Sequence, residues 1–348
     1  MIGHLTYAAG APCPTLVLDA RDLPREEPAL LMALAETRRW LEGVGGKHVL
    51  KIALAEPSRD RLSELDYRFV QLLPDSPRRF DLRGSCGHSL LGAVIAGAQA
   101  SMLPPLAPGS RARVNVLNNS DRVICEVEDA SPGAAYFTVH FRYAPPLPVR
   151  KLLLTGEPQT ALHVGRERVP VSLVSTGNPY AFVDAASLGV SSVSEMFADR
   201  PDLFDRLVRI RMAAASLLGW PPRGAFPKVA LTMRDGSGGV AVRAASVPSW
   251  HPSLALTGSV CLAAALKIAH TIPWLAARAG GGSGDVVDLH TPGGQWPVSV
   301  ALATPDGDPR LAGVTVGRRQ VTCYGALRIK PPAHLQQKEI AGCRTLSA

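Results

Sequence analysis

The sequence predicts an α+β protein built from two similar strand-rich halves, each with an apolar helix at its centre. Its 32 glycines and 30 prolines among 348 residues indicate many turns between short elements. A hydrophobic fraction of 46% is enough to bury a full core and excludes global disorder. Two segments, 84–100 and 255–265, lead from a turn of small residues into an alanine-rich helix. We expect domains at 1–168 and 169–330, followed by a tail at 331–348.

The composition excludes several classes of partner. The net charge of +8 comes from scattered basic residues, without the aromatic interleaving of a nucleic-acid surface. An anionic small molecule fits this basic balance better. None of the six cysteines forms a CxxC pair or has histidines at zinc-finger spacing, so we expect no metal. No apolar run is long enough to cross a bilayer, and the N-terminus lacks the features of a signal peptide. We therefore expect a cytoplasmic protein with reduced cysteines and no membrane partner. The oligomeric state is left open, a homodimer being one option.

For the first half, the sequence pattern predicts short strands, one surface helix and one central helix. Strands are predicted at 15–18, 47–54, 66–73, 112–117, 123–128 and 135–143, and the surface helix at 27–41. Lys51 lies inside the apolar run of the second of these strands. Strand physics alone favours an edge lysine that prevents aggregation at least as much as a functional group.

The central helix of the first half follows the turn Gly84-Ser85-Cys86-Gly87. Unpaired backbone N–H groups and the helix dipole make such a turn a site for an anion. The pKa of a thiol falls at a helix N-terminus, so Cys86 is a candidate for proton transfer near neutral pH. A buried structural thiol is the alternative, and on sequence physics alone it is the more frequent outcome. His88 lies two residues from Cys86 across the turn, so we expect the two side chains to diverge instead of forming a catalytic pair. This leaves a substrate-facing donor or a helix cap as the role of His88.

The second half repeats this organisation. We predict two strands within 169–183 around the turn Thr176-Gly177-Asn178-Pro179, a helix at 202–217, and a hairpin of 228–233 with 239–243. Further strands are expected at 286–289, 296–303, 313–316 and 325–329, with a flexible loop at 280–284. The segment 255–265 is predicted as a strand, the turn Thr257-Gly258-Ser259 and an apolar helix, with Cys261 in the core. Two helix N-termini facing each other across a cleft would focus a positive field on a carboxylate.

Six blocks, in order, resemble the PrpF branch of the diaminopimelate epimerase-like superfamily, which includes methylitaconate isomerases and oxalomesaconate tautomerases. LKIAL at 50–54, after the glycine pair at 45–46, resembles the family's GG…TSKVAV, and LDYRFVQ at 65–71 resembles VDYLFAQV. GSCGH at 84–88 stands where the family has GNCGN, and STGNP at 175–179 resembles DAGNP. HPSLALTG at 251–258 resembles HRAYAVTG, and HTPGG at 290–294 resembles HPSG. Each block is weak alone, but their shared order over residues 45–300 makes the resemblance specific.

The resemblance implies two similar domains, each a β-barrel-like sheet around a central helix, with the active site in the cleft between them. It also implies a 1,3-proton shift, without cofactor or metal, that moves a double bond next to a carboxylate. Carried over by motif, Lys51 and Cys86 are the acid/base candidates. A lysine in an apolar strand can have its pKa lowered enough to act as a base. The expected substrate-binding residues are Ser85, Gly87, His88, Asn178, His251, Thr257, Gly258 and Ser259.

Departures from the family pattern concern the substrate. The family's first turn, MRGGTSKG, stands here as YAAGAPCP at 7–14, and both asparagines of GNCGN are replaced, by Ser85 and His88. We therefore expect a substrate that is less acidic or bulkier than a tricarboxylic acid. One alternative is an epimerase or racemase that uses Cys86 and Cys261 as opposed bases. Another is a non-catalytic binding or accessory protein that kept the fold.

Overall fold

The computed structural model of the protein describes residues 1–73, 76–278, 285–330 and 332–333. The strands are β1 (Ile2–Ala8), β2 (Thr15–Asp19), β3 (Lys51–Pro57), β4 (Leu65–Leu72), β5 (Phe80–Asp81), β6 (Arg111–Val116), β7 (Asp121–Ser131), β8 (Ala134–Pro148), β9 (Thr160–Val164), β10 (Glu167–Ser175), β11 (Pro179–Asp184), β12 (Lys228–Arg234), β13 (Val240–Ser246), β14 (Ser249–Trp250), β15 (Val286–Thr291), β16 (Gly294–Ala303) and β17 (Arg310–Arg328). The α-helices are α1 (Glu27–Gly43), α2 (Gly87–Gln99), α3 (Val193–Phe197), α4 (Pro201–Leu217), α5 (Leu256–Ala265) and α6 (Ile272–Arg278). The predicted loop at 280–284 and most of the predicted tail lie outside the described residues.

The first barrel closes around helix α2. Its eight strands pair in the ring β1, β2, β3, β4, β6, β7, β8 and β17, with β17 returning to β1. The residues of α2 from Gly87 to Gly97 are all buried, as expected for a helix that is apolar on every side. Helix α1 covers the outside of the barrel, where Leu30 and Leu34 pack against residues of β2 and β3.

The second barrel closes around helix α5 in the same way. Strands β10, β11, β12, β13, β15, β16, β17 and β8 follow one another. Leu153, which follows β8 after a short 3-10 turn, forms a bridge to Val174 of β10 and closes the ring. Every residue of α5 is buried. Helix α4 covers the outside with the buried side chains of Leu203, Leu207 and Ile210. The expected fold of two barrel-like domains, each around a central helix, is confirmed.

Strands β8 and β17 belong to both barrels. They are 15 and 19 residues long, and they pair with each other along most of their length. The last part of β17 then pairs with β1, so a strand from the second half of the sequence completes the first barrel. The prediction of two separate strands at 313–316 and 325–329 was wrong, because one long strand with local irregularities spans both. The division of the chain at residue 168 stays a prediction.

The two halves also repeat in sequence and register. Strand β3 begins with KIAL at 51–54, and strand β12 begins with KVAL at 228–231. Each follows a strand and a helical segment, and each pairs in parallel with that preceding strand, which is β2 for β3 and β11 for β12. Lys51 lies opposite Thr15 of β2, and Lys228 lies opposite Tyr180 of β11. Lys51 and Lys228 are therefore equivalent positions in the two halves.

Two predicted boundaries beside the candidate site residues differ from the structure. Helix α5 begins at Leu256, so Thr257, Gly258 and Ser259 form its first turn, and no strand precedes them directly. Strand β3 begins only at Lys51, because a short 3-10 turn occupies Gly46–His48. Among the described helices, none has the length and apolarity needed to span a bilayer.

Candidate active site

A narrow cavity lies between the barrels, where the N-termini of α2 and α5 meet. Its volume is about 80 Å³, whereas one water needs roughly 10–15 Å³. The predicted site residues that line it are Lys51, Ser85, Cys86, Asn178, His251 and Thr257. The structure thus brings both acid/base candidates, Lys51 and Cys86, to the wall of a single cavity.

The two helix entries touch at a glycine. A Cβ added to Gly87 would lie 2.5 Å from the Cβ of Leu256, so only glycine allows α2 and α5 to approach this closely. The fully buried Tyr67 donates a hydrogen bond from its hydroxyl to the carbonyl of Cys86 at 2.9 Å. Cys86 is therefore fixed at the N-cap of α2, beside the first residues of α5.

Asn178 links the two helix entries with its side-chain amide. Its Nδ2 donates to the Ser85 carbonyl at 2.8 Å and to the Thr257 hydroxyl at 3.1 Å. Its Oδ1 accepts from the Ser85 N–H at 3.2 Å. The amide is buried and fully used in these contacts, so Asn178 positions the two turns relative to each other.

The surroundings of Cys86 favour the thiolate. Burial raises the pKa of the Cys86 thiol, but the Lys51 ammonium and hydrogen bonds from Ser89 and the His88 backbone lower it by more. The net effect is a pKa below the ordinary value. A larger share of the thiol is therefore ionised near neutral pH.

Lys228 is a cavity residue that the sequence analysis missed. Like Lys51 it lines the cavity, and within the described part of the chain neither lysine forms a hydrogen bond or an ion pair. Burial and the nearby cations Arg211 and Lys51 lower the pKa of Lys228, Asp81 and Cys86 raise it, and the net value is about 8. The repeat of KIAL in KVAL is the sequence signal that points to this residue.

Asp81 is the carboxylate on the cavity wall, and its charge is already compensated. Its carboxylate accepts hydrogen bonds from the Arg83 N–H at 2.8 Å and from the Arg83 guanidinium at 2.9 Å. Burial raises the pKa of Asp81, but these Arg83 contacts, together with the charge of Lys228, lower it by more. Asp81 is therefore ionised and paired at neutral pH, and it leaves the cavity positive.

His251 presents a neutral ring to the cavity. The Ser253 N–H donates to its Nδ1 at 3.1 Å, so the proton of the neutral ring is on Nε2. Burial, together with the charges of Lys51 and Lys228, lowers the pKa of His251 to about 3. His251 is thus a hydrogen-bond donor without a charge.

His88 stacks on His251 with ring centroids 6.0 Å apart and lies behind it, off the cavity wall. Burial lowers the pKa of His88 well below the usual value, and neither ring nitrogen has a partner among the described residues. The predicted binding residues Gly87, Gly258 and Ser259 also lie behind the wall. Ser259 is fully buried, and its hydroxyl accepts from the Trp296 indole at 3.3 Å.

Cys261 does not oppose Cys86. It is fully buried, its thiol donates to the Val174 carbonyl at 3.3 Å, and burial raises its pKa to about 12. The N-cap of α5, which corresponds to Cys86 in α2, is Ala255. The described structure therefore lacks the second cysteine that a two-cysteine epimerase needs at this point.

Two closed barrels that meet at the N-termini of their central helices define a protein of the diaminopimelate epimerase-like fold. A crystal structure of methylitaconate-delta-isomerase matches with a TM-score of 0.66 at 20% identity, over 96% of this chain and 97% of that chain. A probable proline racemase from Agrobacterium radiobacter matches with a TM-score of 0.63 at 16% identity, over 95% and 93%.

The chain belongs to the PrpF family, because residues 6–321 match the model of the PrpF protein. It is 24% identical to a 4-oxalomesaconate tautomerase of Pseudomonas putida, over 81% of this chain and 84% of the relative. It is also 24% identical to a 3-methylitaconate isomerase of Eubacterium barkeri, over 89% and 93%. The protein is accordingly an isomerase, as the sequence analysis expected.

Proposed function

We propose that the protein moves a carbon–carbon double bond in an unsaturated carboxylate by a cofactor-independent 1,3-proton shift. The observation that carries this proposal is that Lys51 and Cys86 line one cavity at a helix N-terminus, with the pKa of Cys86 lowered by the Lys51 ammonium. The names of the relatives support the substrate class, since they act on methylitaconate and oxalomesaconate.

In the proposed mechanism the Cys86 thiolate removes a proton from the carbon next to the double bond. The electron pair spreads over three carbons and the conjugated carboxylate as a dienolate. The Lys51 ammonium then protonates the distal carbon. A proton passing from the Cys86 thiol to the Lys51 amine restores both groups, so the reaction consumes no co-reactant.

The charge that develops on the substrate carboxylate needs fixed donors. The backbone N–H groups at the entries of α2 and α5 lie at the positive ends of buried helices. His251 adds a neutral N–H from Nε2, which stabilises an oxyanion without competing for the proton. Asn178 holds these donors in fixed positions relative to each other, because its side-chain amide connects Ser85 to Thr257.

We also propose that the substrate differs from a tricarboxylic acid. At 7–14 the chain lacks the arginine, hydroxyl groups and lysine of the family's first turn, and Pro12 lines the cavity from this segment. An apolar ring at this point supplies no partner for a further carboxylate. A cytoplasmic location and a homodimer are further proposals, which cell fractionation and sedimentation would test.

Solvent deuterium incorporation tests the proposed reaction. The protein is incubated in D₂O with a panel of unsaturated carboxylates, including methylitaconate, and proton NMR follows exchange at the allylic carbons. We expect Lys51→Met and Cys86→Ser to lower exchange by about 10²–10⁴-fold. Cys261→Ala is the matched control and should retain exchange.

Two outcomes contradict the proposal. Loss of activity in Cys261→Ala would indicate two-cysteine epimerase chemistry. A panel member that binds tightly without any exchange in the wild type would indicate a non-catalytic binding protein.

A further inference from the structure

Lys228 occupies the cavity from the second half of the chain, and the proton shift described above does not use it. We propose that the Lys228 ammonium binds a carboxylate of the substrate and holds it while Cys86 and Lys51 move the proton. This role deepens the proposed function and rests on it for the identity of the bound molecule.

The internal repeat supports a functional position for Lys228. The equivalent residue Lys51 begins β3 with the same register to its parallel neighbour as Lys228 has in β12. The two barrels face each other across the cavity, so the repeat places one ammonium on each side. Both are cavity-lining side chains, and neither is part of an ion pair in the described structure.

The balance of charge in the cavity indicates an anion beside Lys228. The Cys86 thiolate compensates Lys51, and Arg83 compensates Asp81. Asp81 and Cys86 also act on Lys228 and raise its pKa, but burial and the charges of Arg211 and Lys51 lower it by more. The cations around Lys228 thus outweigh the anions, and its ammonium forms no ion pair in the described structure. A desolvated ammonium without a counter-charge is unfavourable, and a carboxylate in the cavity removes this penalty.

The environment of Lys228 separates its role from that of Lys51. Lys51 is the lysine with the larger effect on the pKa of Cys86. We therefore assign Lys51, and not Lys228, to the proton transfer with Cys86. The Lys228 ammonium lies 5.4 Å from the centroid of the Phe226 ring, which also lines the cavity. The aromatic face leaves the three N–H donors of Lys228 available to oxygen atoms of a ligand.

Alkylation of Cys86 by a matched pair of reagents tests this role without a known substrate. Iodoacetate carries a carboxylate, whereas iodoacetamide is neutral and of nearly the same size. In the wild type we expect the ratio of the iodoacetate rate to the iodoacetamide rate to exceed that of an exposed thiol. Lys228→Met should lower this ratio about 10- to 100-fold, the range of a charge-assisted hydrogen bond, while Lys228→Arg keeps most of it.

Two control variants make the result specific. Lys47 is exposed, so Lys47→Met removes the same charge from the protein and should leave the ratio unchanged. Lys51→Met should slow both reagents, because it raises the pKa of the Cys86 thiol. Thermal unfolding checks that each variant is folded, and Lys228→Gln replaces Lys228→Met where that variant is not.

An unchanged ratio in Lys228→Met, or an equal fall in Lys47→Met, overturns the proposal. The measurement does not depend on turnover. A preference for iodoacetate that requires Lys228 would therefore stand even where deuterium exchange fails, and the two proposals can fail separately.

Discussion

Replacing Gly87 by alanine tests whether the contact between α2 and α5 sets the geometry of the active site. The added Cβ would lie 2.5 Å from the Cβ of Leu256, whereas non-bonded carbons pack at roughly 3.5–4.0 Å. Because the Cβ of Leu256 is fixed to its backbone, the helix entries must separate by about 1 Å. Overpacking of this kind costs about 1–3 kcal/mol of unfolding free energy.

Gly97→Ala is the matched control on the same helix. The nearest atoms to its added Cβ are methyl groups of Leu65 and Leu103 at 3.6 Å, an ordinary contact distance. Alanine is favoured over glycine inside a helix by about 0.5–1 kcal/mol, so this variant should be slightly more stable than the wild type.

Urea unfolding and deuterium exchange measure the two effects. We expect Gly87→Ala to unfold at lower urea and to lose about 10²-fold in exchange rate, since a 1 Å displacement of catalytic groups has effects of this order. Gly97→Ala should unfold at higher urea with unchanged exchange. Wild-type exchange in a folded Gly87→Ala variant would refute the view that this contact sets the site geometry.

Three further predictions concern single side chains. Iodoacetamide near neutral pH should label Cys86 before Cys261, because the pKa of Cys86 is lowered while that of Cys261 is raised to about 12. Peptide mass spectrometry distinguishes the two sites, and equal labelling would contradict the prediction. Asn178→Ala removes three buried hydrogen bonds and should lower the unfolding free energy, measured in urea, by about 2–4 kcal/mol. A loss below about 1 kcal/mol, the value of one hydrogen bond, would contradict this prediction. Lys228 is charged below its pKa of about 8, so the preference for iodoacetate should fall as the pH rises through that value. A preference that is constant across this range would show that another group attracts the reagent.

The part of the site that the sequence predicts is local in origin. Lys51 begins a strand and Cys86 begins a helix, and both positions follow from short patterns and a family motif. Lys228 has no such local signature. It is recognised as a candidate site residue only when residues 228–231 are compared with residues 51–54. The start of α5 was misplaced because Leu254 and Leu256 are both fully buried, and a strand or a helix satisfies that burial equally well.

For the fold, too, the sequence predicts local structure and does not predict contacts between distant residues. Alternating and apolar runs indicate where strands occur, but they do not indicate which strands pair. The pairing of β17 with both β8 and β1 joins residues that are far apart in the sequence. Such contacts depend on the closed shape of each barrel, which short patterns do not encode. The family resemblance supplied the two-barrel architecture that periodicity alone left open.

The sharing of β8 and β17 has a consequence for how the protein folds. The first barrel is not complete until residues 321–328 have been synthesised, because these residues pair with β1. The first half of the nascent chain must therefore remain without its closing strand until β17 has been synthesised. Contacts between such distant residues slow folding and expose strand edges to aggregation. The same strands tie the two cores together, so we expect the barrels to unfold in one cooperative transition, with neither half stable as a separate fragment.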